Sequence, residues 1–207
     1  MTIFEQYKSK IITPDQAASL VKDGMSIDYG MATSMPELID KALAKRVGDL
    51  KNVMVRGTMA VRPIEIIEAD PTSKSFSYNS WHLSGYERKL YEKGLCYFIP
   101  MLYRNQPLHY RNDVEVDICF ISVAPMDKAG KFSFSLTKAI MDSAKIVVVE
   151  VNENLPYVYS DYDGFIDISE VDYIVEGEHP KVVNLPSVRP NEVDVKIADY
   201  IAREMCD

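Results

Sequence analysis

Two stretches of apolar, largely β-branched residues constrain the fold of this chain more than any other feature. One is Val116–Val123 and the other covers residues 146–151. Both are nearly continuous apolar runs, which are typical of strands buried on both faces of a parallel sheet. The sequence therefore predicts a buried parallel sheet whose strands are joined by crossover connections, usually helices.

Helix signals lie between the predicted strands. Thr13, Pro14 and Gln16 match a capping box with proline at the first helical position, and Gly24 follows as the predicted helix stop. Ser34 and Glu37 match a second capping box. Asn191 is the predicted cap of a last, amphipathic helix. Further helices are predicted at residues 64–69, 85–92 and 137–145, and further strands at residues 26–29, 53–56, 75–78, 97–99 and 173–175.

This alternation of strands and helices predicts an α/β fold, an open, mainly parallel sheet with helices on both faces. No linker divides the sequence, so we expect a single domain over residues 1–207. Hydrophobic residues make up 47% and charged residues 26% of the chain, which suits a soluble globular protein with a sizeable core.

Charge and cysteine usage exclude several classes of function. The net charge is -8 and no basic run is present, which argues against nucleic-acid binding. The start lacks the apolar region of a signal peptide, and no apolar stretch is long enough to cross a membrane. The cysteines are odd in number and form no Cys-x-x-Cys pair, so neither a disulfide framework nor a zinc site is expected. We therefore expect a cytoplasmic protein with reduced thiols, at Cys96, Cys119 and Cys206.

The usual catalytic motifs are missing. The sequence has no P-loop, no Gly-x-Gly-x-x-Gly, no His-Glu-x-x-His and no Gly-x-Ser-x-Gly. Its three histidines lie far apart, without metal-ligand spacing. The segment from Asp161 to Gly164 resembles a calcium loop with its glycine too early, so a polar turn is favoured. Glu150 ends an apolar run, and a structural hydrogen-bonding or solvated role is favoured for it over a catalytic one.

Small residues between the first predicted strand and the next helix form the candidate site. Open α/β sheets bind ligands at the carboxyl ends of their strands, and helix N-termini attract negative charge. Two interpretations stay open for this segment, a ligand pocket or only a capped helix start. We call it the candidate loop, and it consists of Gly30, Met31, Ala32, Thr33 and Ser34.

Asn79 and Ser80 follow another extended segment and form the second part of the candidate site. They either line the site or form an Asx turn. Trp81 comes next, and an anchor in a core or an interface is favoured for it over a platform on which a ligand stacks.

Five segments together resemble a known family. They cover residues 7–17, 29–36, 79–100, 123–135 and 149–177, and the fourth contains the pattern Pro-x-Asp-x-x-Gly-x-x-Ser that starts at Pro125. In this order they resemble the amino-terminal half of class I coenzyme A-transferases of the acetyl-CoA hydrolase/transferase and 4-hydroxybutyrate CoA-transferase type. The candidate loop is poorer in glycine than that family's loop, and the stretch after Ser135 is shorter.

The resemblance implies a division of labour between two α/β halves or subunits. In that family a glutamate of the second half attacks the acyl-CoA thioester, and a glycine-rich segment of that half helps to form the oxyanion site. This sequence matches only the first half, so the resemblance implies no catalytic residue of its own and the absence of the carboxyl-terminal catalytic half.

By the same resemblance, the candidate loop with Asn79 and Ser80 lines the acyl pocket. CoA enters as a thioester substrate and no cofactor is bound. The implied partners are acyl-CoA, a short-chain carboxylate and a second half or subunit, in an oligomer. Two alternatives stay open: a non-catalytic acyl-CoA or metabolite-sensing domain, and a piece of a longer CoA-transferase or hydrolase.

Overall fold

A computed structural model describes residues 2–134, 138–160, 164–184 and 187–205. The helices are α1 (Ile3–Lys10), α2 (Pro14–Ser19), α3 (Leu38–Ala44), α4 (Glu65–Ala69), α5 (Gly85–Glu92), α6 (Gln106–Asn112), α7 (Lys138–Ser143) and α8 (Glu192–Glu204). The strands are β1 (Ile11–Ile12), β2 (Ser26–Met31), β3 (Val53–Thr58), β4 (Phe76–Ser80), β5 (Tyr97–Phe98), β6 (Val116–Val123), β7 (Lys131–Ser133), β8 (Ala144–Val151), β9 (Phe165–Asp167) and β10 (Tyr173–Glu176).

Eight of the strands form one parallel sheet in the order β1-β10-β8-β6-β2-β3-β4-β5, and β7 pairs with β9 in a separate antiparallel ribbon. The chain builds outward from β2 through β3, β4 and β5, and then returns to the other side of β2 with β6. The strand order therefore reverses between β2 and β6. The predicted α/β fold with a parallel sheet is confirmed.

Apolar side chains bury both faces of the sheet at its central strands β6 and β8. On one face, α2, α3, α4 and α5 contribute to a core that also contains Phe120 and Val148. On the other face, α6, α7 and the ribbon pack against Ile121 and Val149. Neighbouring residues of β6 and of β8 thus enter opposite cores, which explains why these strands are continuously apolar in sequence.

The predicted capping box at Ser34 is wrong. Residues Ala32–Ser34 form one turn of 3-10 helix, and Met35 is extended because a following proline disfavours helical backbone. Helix α3 begins only at Leu38, and no side chain of its own N-cap residue, Glu37, caps it.

Several other boundaries also differ from the sequence prediction. Helix α2 ends at Ser19, and Gly24 lies in a later turn with a φ of 74°. Helix α7 ends at Ser143, since Ala144 already pairs with Val116 in the sheet. Thr137, the predicted first residue of this helix, lies outside the described residues. Helices α1 and α6 and the β7–β9 ribbon were not predicted.

The predicted cap of the last helix is confirmed. The Oδ1 atom of Asn191 accepts hydrogen bonds from the N–H groups of Val193 and Asp194 at 2.8 and 3.0 Å. No residue of α8 is buried against the rest of the described chain. Among the described residues, no helix is long and apolar enough to cross a membrane.

Candidate functional site

The candidate loop lies where the strand order of the sheet reverses. Gly30 and Met31 are the last residues of β2, and the register between β2 and β3 shifts between Asp28 and Met31. The φ of Gly30 is 67°, in the left-handed region that glycine adopts without strain, and the φ of Ala32 is 50°. Because ligands of open α/β sheets bind at such reversals, the fold puts the candidate loop at the most favourable position for a binding site.

A buried carboxylate ties the loop to α6. Asp28 is almost completely buried, and its oxygens accept hydrogen bonds from the N–H of Gly30 at 2.8 Å and from the hydroxyl of Tyr110 at 2.6 Å. Burial raises the pKa of Asp28 to about 6, although both hydrogen bonds and the nearby Arg56 act to lower it. Asp28 thus fixes the end of β2 relative to α6.

A cavity of about 360 Å³ lies between the candidate loop, α6 and α7, and we call it the α6 cavity. Thr33 and Ser34 line one part of it, and Phe134, Leu155 and Gln106 line others. No carboxylate is found among its described lining residues, whereas two cationic side chains are, Arg111 and Lys138.

The two cations of the α6 cavity differ in their surroundings. Lys138 is held by Asp142 at 2.6 Å and by Glu170 at 2.7 Å, so its charge is largely compensated. Arg111 is exposed and forms no ion pair with any residue that the structure describes. Any excess positive charge at this cavity therefore comes from Arg111.

A second cavity of about 260 Å³ lies on the opposite face of the sheet, beside α3 and α4, and we call it the α3 cavity. Ala32, Thr33, Arg62 and Asn152 are among the residues that line it. The guanidinium group of Arg62 contacts the carboxylate of Asp40 at 3.4 Å. Thr33 lines both cavities, so the candidate loop separates two possible ligand spaces.

Three ionisable side chains form a chain of hydrogen bonds behind the α3 cavity. Glu150 is fully buried and accepts hydrogen bonds from the N–H groups of Glu37 at 2.7 Å and Ile39 at 2.9 Å. The Nε2 atom of His179 lies 3.1 Å from a carboxylate oxygen of Glu150, and its Nδ1 atom lies 2.8 Å from a carboxylate oxygen of Glu153. Burial acts to lower the pKa of His179, but the hydrogen bonds to both glutamates outweigh it and raise the pKa above its usual value.

These contacts give Glu150 a structural hydrogen-bonding role, which is one of the two roles that the sequence analysis favoured for it. Its carboxylate satisfies N–H groups at the start of α3 that no helix-capping side chain reaches. A negative charge at a helix N-terminus is also favourable. The carboxylate that the sequence placed at a strand end is therefore already fully engaged inside the protein.

The structure does not bring Asn79 and Ser80 to the cavities that share Thr33. They are the last residues of β4, two strands away from β2, a separation of about 10 Å. The amide of Asn79 donates to the carbonyl of Ser77 at 3.3 Å, and the hydroxyl of Ser80 donates to the carbonyl of His82 at 3.2 Å. Their role in lining a ligand site stays a prediction.

Trp81 lies beside them and is nearly buried. It stacks on Tyr103 with ring centroids 6.2 Å apart and lines a separate cavity of about 520 Å³ together with Arg88 and Phe98. The side chains of α6 that line the α6 cavity were missed, because α6 itself was not predicted. The Gln106-Pro107 pair was the available signal, since proline is favoured in the first turn of a helix.

The ionisable side chains of the described part do not form a metal site, since no group of three or more His, Cys, Asp or Glu residues there could hold an ion. The polar segment from Asp161 to Asp163 lies outside the described residues. Cys96 and Cys119 are buried free thiols.

The fold is that of an α/β domain with an open parallel sheet, and two cavities share Thr33 at the reversal of its strand order. The sequence profile of the acetyl-CoA hydrolase/transferase N-terminal domain matches residues 1–186. The chain belongs to this family, which confirms the resemblance noted in the sequence.

Named relatives in this family are CoA-transferases. The butyryl-CoA:acetate CoA-transferase of Anaerostipes caccae is 40% identical over an alignment that covers 99% of this chain and 47% of that protein. The probable butyrate:acetyl-CoA coenzyme A-transferase of Syntrophomonas wolfei is 34% identical, with 99% and 47% coverage. The chain thus spans about half the length of the curated relatives it matches.

Solved structures share the fold of this chain. The crystal structure of RipA from Yersinia pestis superposes with a TM-score of 0.85 and 27% identity, over 98% of this chain and 50% of that one. A 4-hydroxybutyrate CoA-transferase from Porphyromonas gingivalis shares the fold, with a TM-score of 0.62 at 21% identity over 89% of this chain and 43% of that one.

Proposed function

We propose that this chain is the non-nucleophilic half of an acyl-CoA:carboxylate CoA-transferase, and that the candidate loop lines its acyl pocket. The observation that carries the proposal is the position of Thr33, at the strand reversal and in the wall of two cavities. The positive φ of Ala32, a residue with a side chain, supports it because such strained backbone is concentrated at functional sites.

The chemistry of transfer explains why a second half is needed. The reaction needs a carboxylate nucleophile beside the thioester carbonyl and hydrogen-bond donors that are already in place for the oxyanion. The two fully buried glutamates are committed to internal bonds: Glu150 as described above, and Glu87 to the hydroxyl of Tyr78 at 2.8 Å and the N–H of Ser84 at 2.7 Å. We propose that the nucleophile comes from the second half.

Glu37 and Glu65 are the glutamates of this chain that come closest to a rival assignment, because both line the α3 cavity. Glu37 is paired with Lys41 at 2.7 Å, one helical turn away. Glu65 lies three residues after Arg62, whose positively charged side chain also lines the cavity. We assign them to the wall of the pocket, and the experiment below distinguishes this from a nucleophilic role.

The uncovered helix α8 supports the proposal of a partner half. Exposed apolar side chains lie along it, and isolated helices of this length are marginal in water. We propose that the second half covers this helix and that the assembled enzyme is an oligomer. The side chains concerned are Val193, Val195, Ile197, Tyr200 and Ile201.

The proposed substrates are a short-chain acyl-CoA and a short-chain carboxylate, in line with the names of the relatives. In this proposal CoA is a substrate and no cofactor is bound. The proposed location is the cytoplasm. The part played by this chain is to bind and orient the acyl group and to keep water away from the intermediate.

The test incubates acetyl-CoA and butyrate with the pure chain, with a matching carboxyl-terminal half, and with both. We expect butyryl-CoA only when both halves are present. Borohydride reduction followed by mass spectrometry should locate the glutamyl-CoA thioester on the second half. Transfer by this chain alone, or a trapped adduct at Glu37 or Glu65, would contradict the proposal.

A further inference from the structure

Gln106 carries a buried hydrogen-bond donor that the protein does not use. The residue opens α6 and is only 3% exposed. Its Nε2 atom has no hydrogen-bond partner among the residues that the structure describes. Buried polar groups in folded proteins are nearly always paired, and leaving one unpaired costs stability. A donor retained at such a cost calls for an acceptor from outside the described chain.

The position of Gln106 shows where that acceptor can come from. The side chain lines the α6 cavity together with Thr33 and Ser34 of the candidate loop. The other unpaired buried polar atom found in the described part is the hydroxyl oxygen of Ser122, but Ser122 lies within β6 and does not line this cavity. The terminal amide of Gln106 can turn about its last bond, because no hydrogen bond holds it. Of the two unpaired groups, only the side-chain amide of Gln106 can therefore donate a hydrogen bond to a ligand in the cavity.

The rest of the lining indicates the chemistry of this ligand. Arg111 and the largely compensated Lys138 favour a single negative charge, and no described carboxylate opposes it. Phe134 and Leu155 supply apolar surface against which a short alkyl chain can pack. A short-chain carboxylate combines both properties.

We propose that the α6 cavity binds the short-chain carboxylate and that Gln106 donates a hydrogen bond from Nε2 to a carboxylate oxygen. The inference rests on the proposed function and names the substrate held in this cavity and the residue that positions it. Hydrogen bonds to a charged acceptor are stronger than those between neutral groups. Removing the donor should therefore weaken carboxylate binding markedly, while the free protein loses only an unpaired polar group.

The test compares Gln106→Met, which keeps a side chain of similar length without a donor, with the matched control Ser122→Ala. The 207-residue chain is labelled with nitrogen-15 and titrated with butyrate or acetate. The side-chain amide signals of Gln106 are identified by their absence in Gln106→Met. We expect these signals to shift on titration, and we expect Gln106→Met to weaken butyrate binding by about tenfold, since a bond to a charged group is lost. Ser122→Ala should bind butyrate like the wild type.

Thermal unfolding separates positioning from a structural role. Because Nε2 is unpaired in the free chain, Gln106→Met should melt no lower than the wild type. A lower melting temperature with unchanged butyrate affinity would overturn the inference, as would Gln106 amide signals that do not move with either probe. Neither result bears on whether the assembled halves transfer CoA, so the proposed function is tested separately.

Discussion

The buried carboxylate of Asp28 should make the stability of this protein depend on pH in a way that one substitution removes. Asp28 has no cation in direct contact; its two described partners are the N–H of Gly30 and the hydroxyl of Tyr110. In Asp28→Asn the amide oxygen can still accept from Gly30, and the Tyr110 hydroxyl can turn to accept from the amide nitrogen. The substitution therefore removes a buried charge and leaves the hydrogen bonds largely in place.

The size and sign of the effect follow from the pKa of Asp28. It is about 6 in the folded chain against 3.8 for the unperturbed group, so the folded state binds the proton more tightly. The stability that this provides is lost as the pH rises through the folded pKa. The difference between the two pKa values corresponds to roughly 3 kcal/mol in total. Roughly 1.4 kcal/mol of this stability is lost between about pH 5 and about pH 8. The rest is already lost below about pH 5, where the unfolded carboxyl has ionised and the folded one has not.

Urea denaturation of the wild type and of Asp28→Asn across this pH range is the assay. The wild type should lose about 1.4 kcal/mol relative to the variant between about pH 5 and about pH 8, since all other titrations are shared and cancel. Asp117→Asn is the control. Lys145 and the N–H of Ser26 lower the pKa of Asp117, so it stays ionised throughout this range and its difference from the wild type should be flat. A difference between wild type and Asp28→Asn that does not change with pH would refute the reasoning.

Two further substitutions test the surroundings of the candidate loop. Glu150→Gln should destabilise the chain by about 1–3 kcal/mol in urea denaturation, since an amide NH₂ replaces one of the oxygens that accept from buried N–H groups at α3. The control is Glu170→Gln, at a half-exposed ion pair, which should cost under about 1 kcal/mol. An equal loss of stability in the two variants would contradict this prediction. Gly30→Val should lower turnover of the assembled enzyme. The control is Gly24→Val, which lies at a similar positive φ with open space around it and should lower stability alone. Wild-type kinetics for Gly30→Val would exclude a pocket role for this position.

The fold was predictable because its strongest signals are local. Strands β6 and β8 are buried on both faces and therefore lack the polar alternation of half-exposed strands. The cap at Asn191 is likewise readable, because its acceptor serves N–H groups two and three residues away. Such features depend on neighbours in sequence, and the structure bears them out.

The parts that sequence reasoning missed depend on contacts between residues far apart in the chain. Ser34 matches a capping residue in sequence, but the carboxylate that holds the start of α3 comes from Glu150, over one hundred residues later. The separation of Asn79 and Ser80 from Thr33 follows from the strand order, which no local pattern reveals. Individual site residues can therefore be proposed from the sequence, but which of them lie together in space cannot.

Helix α6 joins the two main inferences. Gln106 and Tyr110 are four residues apart and so lie on the same side of the helix. Tyr110 is anchored to Asp28, which also holds Gly30 at the end of β2. One buried carboxylate thus links the candidate loop to the helix that carries Gln106, and residues of both line the α6 cavity. Because Asp28→Asn leaves both contacts largely in place, it should change the pH dependence of folding while Gln106 stays in place. Tyr110→Phe, by contrast, would release α6 from this anchor.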